Sequence, residues 1–249
     1  MRPSGGVCAI GVMAKAPQPG RCKTRLCPPL SPESAATLSA AFLRDTTENM
    51  AAASRLAPIA SYVAYAPAGS EALLRPHVAA GTALLLADGS PPMPPNVQGF
   101  GRCLLHAVQA MLAEGHEAAC VLSSDTPNLP TSLLAEAAAA LLAGGDRAVL
   151  GAADDGGYYL LGLKAAHAGM FADIAWSTDR VAAQTRERAR ALGLPVTELE
   201  PWYDIDDASA LRSLMAGTEG YAASATRAAL EALDLRNVLA RHAAESAAA

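Results

Sequence analysis

Short apolar runs alternate along this chain with longer stretches in which apolar side chains recur every three or four positions. That is the pattern of βα units wound around a mostly parallel sheet. The run VCAIGVMA (7–14) predicts a first strand, and SPESAATLSAAFLRDTTENMAAA a long helix with Ser31 as its cap and Pro32 at its first position. Further strands are expected at IASYVAYA (59–66), TALLLA (82–87) and AACVLSSD (118–125), the last ending on Asp125. A Pro-rich loop, DGSPPMPPNVQGFG, leads into the helix RCLLHAVQAMLAEG (102–115), and Thr131 is placed to cap the helix in LPTSLLAEAAAALLAGG.

RAVLGAA and GYYLLGL then read as two strands joined by the turn DDGG, whose glycines suit a type I′ hairpin. STDRVAAQTRERARALG is a helix that Ser177 or Thr178 would cap, PVTELE a strand, and DDASALRSLMAG a helix begun by Asp207. The remainder is helical by composition, and docks either on its own domain or on a second subunit of a homodimer. The division expected is one domain over 1–215 with a helical extension over 216–249.

Composition narrows the function classes. A net charge of −5 gives no electrostatic footprint for nucleic acid, so an anionic ligand must be held by local charge. No apolar run approaches the roughly 18 residues of a membrane span, and the opening segment lacks a signal-peptide cleavage site. A cytoplasmic protein with no membrane partner is expected. Cys8 and Cys120 lie within strand-like runs as small hydrophobes, while Cys22 and Cys27 lack the second pair that zinc spacing requires.

The chemistry of an open α/β sheet sits at the carboxyl ends of its strands. Four polar clusters fall there: the loop after the first strand, Asp125, the DDGG turn, and YDIDD after TELEP. The loop, within MAKAPQPGRCKTRL, carries Lys15, Arg21, Lys23 and Arg25, although the chain has only three lysines in all. Lysine offers a compact ammonium and arginine a planar fork; with Gly20 admitting backbone N–H groups, such a loop suits a polyphosphate. The alternative is a solvated charged face, and position after the first strand favours phosphate. Neither GxGxxG nor GxxxxGK[ST] is present.

MAKAPQPGRCKTRL, LSSDTPNLP (122–130), GAADDGGYYLLGL (151–163), IAWSTDRV (174–181) and WYDIDDASAL (202–211) together resemble a bacterial family of glycosyltransferase-like proteins, the DUF2064 type. That family is similar to the guanylyltransferases that activate 2-phospholactate or phosphoenolpyruvate, in the nucleotide-diphospho-sugar transferase superfamily. The resemblance implies a GT-A-like, Rossmann-like three-layer sandwich with a mixed, mostly parallel sheet. It also implies Mg²⁺ or Mn²⁺ held by Asp125, with Asp204 and Asp206 as a DxD-like pair, a role that turn and cap residues would otherwise explain.

Carried onto this chain, the resemblance makes Lys23, Arg25 and Asp125 the catalytic groups. Nucleotide contacts fall to Lys15, Gly20, Lys23, Thr24, Arg25, Gln98 and Gly99. Contacts to a small acceptor fall to Asp155, Gly156, Gly157, Tyr158, Trp176, Ser177 and Thr178. Tyr158 and Tyr159 alternate faces, so one at most is expected to reach the site. Relatives carry an acidic stretch of the type GDLGxR where this chain has QGFGR, with Phe100 at the acidic position.

The expected activity is nucleotidyl transfer from an NTP to a phosphorylated or phosphonate acceptor, with pyrophosphate leaving. An already ionised acceptor needs no activating triad, in keeping with the absence of one. Glycosyl transfer from a nucleotide sugar is the alternative and requires a carboxylate base such as Asp154 or Asp155. A nucleotide-binding module without turnover is a third reading.

Overall fold

The computed structural model describes residues 6–248. Seven strands form one sheet: β1 (Cys8–Ala14), β2 (Ile59–Tyr65), β3 (Ala83–Leu86), β4 (Ala118–Leu122), β5 (Ala148–Ala153), β6 (Tyr158–Leu163) and β7 (Val196–Trp202). Their order across the sheet is β3-β2-β1-β4-β6-β5-β7. β1 runs parallel to both β2 and β4, β2 to β3, and β5 to β7, whereas β6 is antiparallel to β4 and β5. The sheet is therefore mixed and mostly parallel.

Eight helices accompany it among the described residues: α1 (Pro32–Ala53), α2 (Glu71–Leu74), α3 (Phe100–Ala113), α4 (Thr131–Leu142), α5 (Val181–Ala191), α6 (Ala208–Ala216), α7 (Ser224–Ala232) and α8 (Leu235–Ala248). Alternation along β1 sets the layers. Cys8, Ile10 and Val12 point into a core shared with Leu43 and Met50 of α1 and Leu134 of α4. Ala9 faces the opposite core, filled by Leu105 and Val108 of α3 and Ala189 of α5. Helices on both faces of one sheet make a three-layer α/β sandwich, the architecture expected. No helix among the described residues is long and apolar enough to cross a membrane.

The long helix α1 is buried on two sides. Leu38 and Phe42 face away from the sheet into a third cluster with Leu26, Ile205, Leu211, Leu214, Leu230 and Leu235, so α6, α7 and α8 pack over α1. A buried carboxylate fixes this layer: Asp45 of α1 is fully buried and accepts hydrogen bonds from the backbone N–H groups of Ala225 (3.0 Å) and Thr226 (2.6 Å). It caps the first turn of α7 from another helix, where the unpaired N–H groups and the helix dipole favour an anion.

Several local expectations hold and others are corrected. Ser31 accepts from Ser34 N at 3.2 Å and caps α1, and Asp207 accepts from Ser209 N and Ala210 N at 2.7 and 2.8 Å and caps α6. Thr131 is not a cap: Pro130 occupies that position, and the Thr131 hydroxyl donates instead to Asn49 Oδ1 at 2.6 Å. Neither Ser177 nor Thr178 caps α5, whose boundary residue is Arg180; Thr178 turns the chain just before it, donating to Ala175 O and accepting from Arg180 N. Helix α3 starts at Phe100, two residues earlier than the pattern suggests, behind Gly99 at φ 54°.

Asp45→Ala should leave two N–H groups of α7 without a partner inside the fold. A loss of about 2–4 kcal/mol in denaturant-unfolding stability is expected, with Asp45→Asn losing less because it keeps an acceptor oxygen.

Candidate functional site

The connections from β1 run through β2 to β3 on one side of the sheet, while β4 pairs with β1 on the other. The crevice at the carboxyl ends of β1 and β4 is thus a switch point, where an open α/β sheet binds its ligand. The basic loop lies over it. A turn closed by Arg21 N donating to Gln18 O (3.0 Å) brings the chain to Lys23, which takes the left-handed conformation at φ 47°, and Leu26, fully buried three residues later, anchors the exit.

That backbone turn aims Lys23 inward, leaving its side chain only 7% exposed. Nζ stands 2.8 Å from Asp125 Oδ1, donates to the Ile205 carbonyl at 2.7 Å, and lies 4.5 Å from the centre of the Phe42 ring. Ile205 N in turn donates to the Asp125 carbonyl at 2.8 Å. Residues 23, 125 and 205 are joined by these contacts alone. Beside them Arg25 Nη1 meets Asp206 Oδ2 at 2.7 Å on the exposed rim.

The segment holding Asp204 and Asp206 is fixed by the stretch that follows Asp125. Asn128 Nδ2 donates to the Tyr203 hydroxyl at 2.7 Å, and Trp202 Nε1 donates to Asn128 Oδ1 at 3.4 Å. Asp204 is half-buried there, with its Oδ1 out of contact with solvent. Burial foremost, and then the charges of Asp125 and Asp155, push its carboxyl up to about 7 against the opposing pull of Lys23. Its Oδ1 has no hydrogen-bond partner among the described residues. Asp206 faces the crevice and pairs with Arg25. No three His, Cys, Asp or Glu side chains stand as a closed ligand set among the described residues.

A cavity of about 440 Å³ opens over these groups. Lys15, Arg21, Lys23, Thr24 and Arg25 line it from the loop, Ser124 and Asp125 from the end of β4, Asp206 from beyond β7, and Phe100 and Cys103 from α3. Four cationic side chains therefore meet two carboxylates, each already paired with one of them. A second cavity of about 210 Å³ adjoins it, sharing Met13, Phe100, Ser124 and Asp125.

The sequence-expected groups divide accordingly. Lys15, Lys23, Thr24, Arg25, Asp125 and Asp206 come together on the large cavity, and Tyr158 borders the small one. Gly20, at φ 72°, stands in open space, and Gln98 donates to Pro95 O on the surface. Gly99 and Trp176 meet each other instead of the cavity: the indole lies over Gly99 and Gly101 and edge-on to Phe100, ring centres 6.0 Å apart. Ser177 and Thr178 follow it on the exposed approach to α5.

The DDGG turn is not of type I′. Four residues, 154–157, link β5 to β6, and only Gly156 has a positive φ, 86°, while Asp155 Oδ1 accepts from Gly157 N at 2.8 Å. A Cβ on Gly156 would lie 2.0 Å from Asp179 O, and its carbonyl accepts from Ala182 N, so this glycine locks the hairpin to the start of α5. Tyr158 and Tyr159 do leave β6 on opposite faces, into the α3 and the α1/α4 cores, yet both border the small cavity. Tyr159 is fully buried and turns its hydroxyl away to donate to Glu200 O at 2.9 Å, while Tyr158 lies on the α3 face.

Ser39, Cys103 and Ser124 line the large cavity without having been singled out, as does Arg21, which was named in the basic loop but given no contact of its own. Arg21 shares the basic loop and Ser124 precedes Asp125, so both had a positional signal. Ser39 and Cys103 sit within helices, where nothing in the sequence distinguishes them.

Among solved structures, a protein from Desulfovibrio desulfuricans G20 assigned as a nucleotide-diphospho-sugar transferase is similar at 25% identity and a TM-score of 0.75, over 94% of this chain and 97% of that one. A looser likeness, at 12% identity and a TM-score of 0.49, covers 84% of this chain and 97% of CMP:2-keto-3-deoxy-manno-octonic acid synthetase in complex with CTP. No curated protein matches the chain. The family model described as "Uncharacterized protein conserved in bacteria (DUF2064)" matches residues 49–178, just over half of the 249 residues, and the chain belongs to that family.

Proposed function

We propose that the protein is a transferase acting on a nucleotide, and that it moves a nucleoside monophosphate from an NTP to a small acceptor bearing an oxyanion. The observation that carries this reading is the cationic cavity at the switch point, with Lys15, Arg21, Lys23 and Arg25 facing one space beside Asp125. The name of the Desulfovibrio protein, similar over nearly the whole chain, agrees with the transferase part of this reading.

An acceptor oxygen forms a bond to the α-phosphorus while the bond from that phosphorus to the bridging oxygen breaks, and pyrophosphate leaves with the electron pair. Lys23 uses two of its three N–H donors on Asp125 and Ile205, which leaves one for a phosphate oxygen. Its position is set before any ligand arrives, so little reorganisation accompanies charge development. Arg25, 69% exposed, and Lys15 gather the outer phosphates. In-line geometry and charge neutralisation then suffice, without a triad.

The carboxylates fit a divalent cation. Mg²⁺ uses one or two protein carboxylates and completes its shell with phosphate and water, so a closed protein cage is not required. Asp125 and Asp204 are the donors that would hold it, since Asp204 has a buried carboxylate oxygen without a partner and three other aspartates raise its proton affinity. Bound there, Mg²⁺ or Mn²⁺ would neutralise phosphate charge and orient the leaving pyrophosphate.

Incubation with each NTP, Mg²⁺ and a panel of phosphorylated acceptors should release pyrophosphate; release of a nucleoside diphosphate from nucleotide sugars alone would overturn the reading. Lys23→Ala is expected to lower turnover by about 100-fold or more. It also strips Asp125 of its counterion, so its melting temperature should fall. Arg25→Ala, at an exposed position, should lower turnover while barely moving stability.

Without divalent cations, Asp204 should penalise the fold at high pH. The folded protein keeps a proton up to about pH 7 that the unfolded chain releases near 4, so stability falls as pH rises between those values and levels off above. Asp204→Asn should therefore stabilise the protein by about 2–4 kcal/mol at pH 8 and by little at pH 4, in unfolding with a chelator present.

A further inference from the structure

The smaller cavity has a different chemistry from its neighbour. Its walls are Met13 at the end of β1, Leu104 and Phe100 of α3, Val121 and Leu122 of β4, and the two tyrosines that open β6. Ser123 and Ser124 line it as well, and among the described residues Asp125 is its single charged side chain. Phe100 is 49% exposed, an unusual state for a large apolar side chain, and is braced edge-on by Trp176. The Tyr158 hydroxyl is buried without a partner among the described residues, although a buried hydroxyl ordinarily finds one.

We propose that this compartment is the acceptor subsite, and that it selects an acceptor with a compact, uncharged aromatic or aliphatic body; the inference rests on the transferase reading above. The acceptor's oxyanion lies at the shared boundary beside Ser124 and Asp125, within reach of the cationic cavity, and its body enters the apolar one. At about 210 Å³ the compartment has the volume of roughly seven waters, enough for a single ring. A sugar phosphate or a dianionic acid would have to leave most of its hydroxyls or its second charge among Met13, Leu104 and Val121, with the Ser123 and Ser124 hydroxyls at one end as the neutral polar groups nearest to them. Phe100 is then the specificity-determining residue, because it is the exposed apolar side chain on the wall that the two cavities share.

Phenyl phosphate, glucose 1-phosphate and inorganic phosphate distinguish the cases when titrated calorimetrically into the full-length protein, with melting shifts by NTP and Mg²⁺ recorded on the same samples. Phenyl phosphate should bind at least about tenfold tighter than the other two, in keeping with burial of one ring. Phe100→Ala should lose about fivefold or more of that affinity and Phe100→Tyr should keep it. Equal affinities for the three probes, or a preference untouched by Phe100→Ala, would overturn the inference while an NTP shift leaves the transferase reading standing. Absence of any NTP shift would refute that reading, and the acceptor role with it.

Discussion

The ammonium of Lys23 is the contact on which the site depends. A lysine that is nearly buried must be matched by acceptors, since an uncompensated charge in the interior costs several kcal/mol. Here the match comes from Asp125 at the tip of β4, the Ile205 carbonyl beyond β7 and the face of Phe42 on α1. Those groups lie far apart in the chain and meet only if strand order, loop conformation and the packing of α1 are all in place. Each constrains the others: the left-handed backbone at Lys23 is tolerable because the side chain it aims inward is so fully bound.

This arrangement separates the groups that make the cavity from those that make the fold. The basic loop could have been a solvated face, as most charged stretches are. Instead its central lysine is locked while Arg25 stays on the rim, so positive charge is graded from fixed at the sheet to adjustable at the mouth. Opposite it, Asp204 is held where burial and neighbouring carboxylates disfavour its charge. Such a group weakens the empty fold, and its retention is understandable where a cation or phosphate-bound metal relieves it.

Much of this was legible in the sequence because it follows from strong, local signals. Apolar runs of the right length located the first six strands, the segment PVTELE pointed to β7, and the concentration of Lys15, Arg21, Lys23 and Arg25 directly after β1 placed the cavity. Asp125 was marked by closing the apolar run of β4, although the strand itself, wholly buried, ends three residues earlier at Leu122. What stayed hidden was decided by tertiary contact. Thr131 has the residue type of a cap, yet Asn49 of α1 takes its hydroxyl; Gly156 suits a hairpin turn, yet its missing Cβ serves the approach of Asp179. The Lys23 contact to a main-chain carbonyl at Ile205 has no signature at all, since every residue type carries that acceptor.

The two cavities share one wall and differ in charge, and that contrast gives the site a direction. A polyanion entering from solvent meets Arg25 and Lys15 first and is drawn toward Lys23, but it gains nothing by passing Phe100 into a compartment whose only charged lining group is a carboxylate. A molecule with an apolar body experiences the reverse: desolvation is favourable past Phe100 and unrewarded among the cations. Two ligands of opposite character are thereby sorted without a moving part, and the boundary where they meet is lined by Ser124 and Asp125. An aromatic at position 100 thus sets more than the size of the pocket. It adds no charge to the border, and leaves Asp125, held by Lys23, as the anion common to both sides.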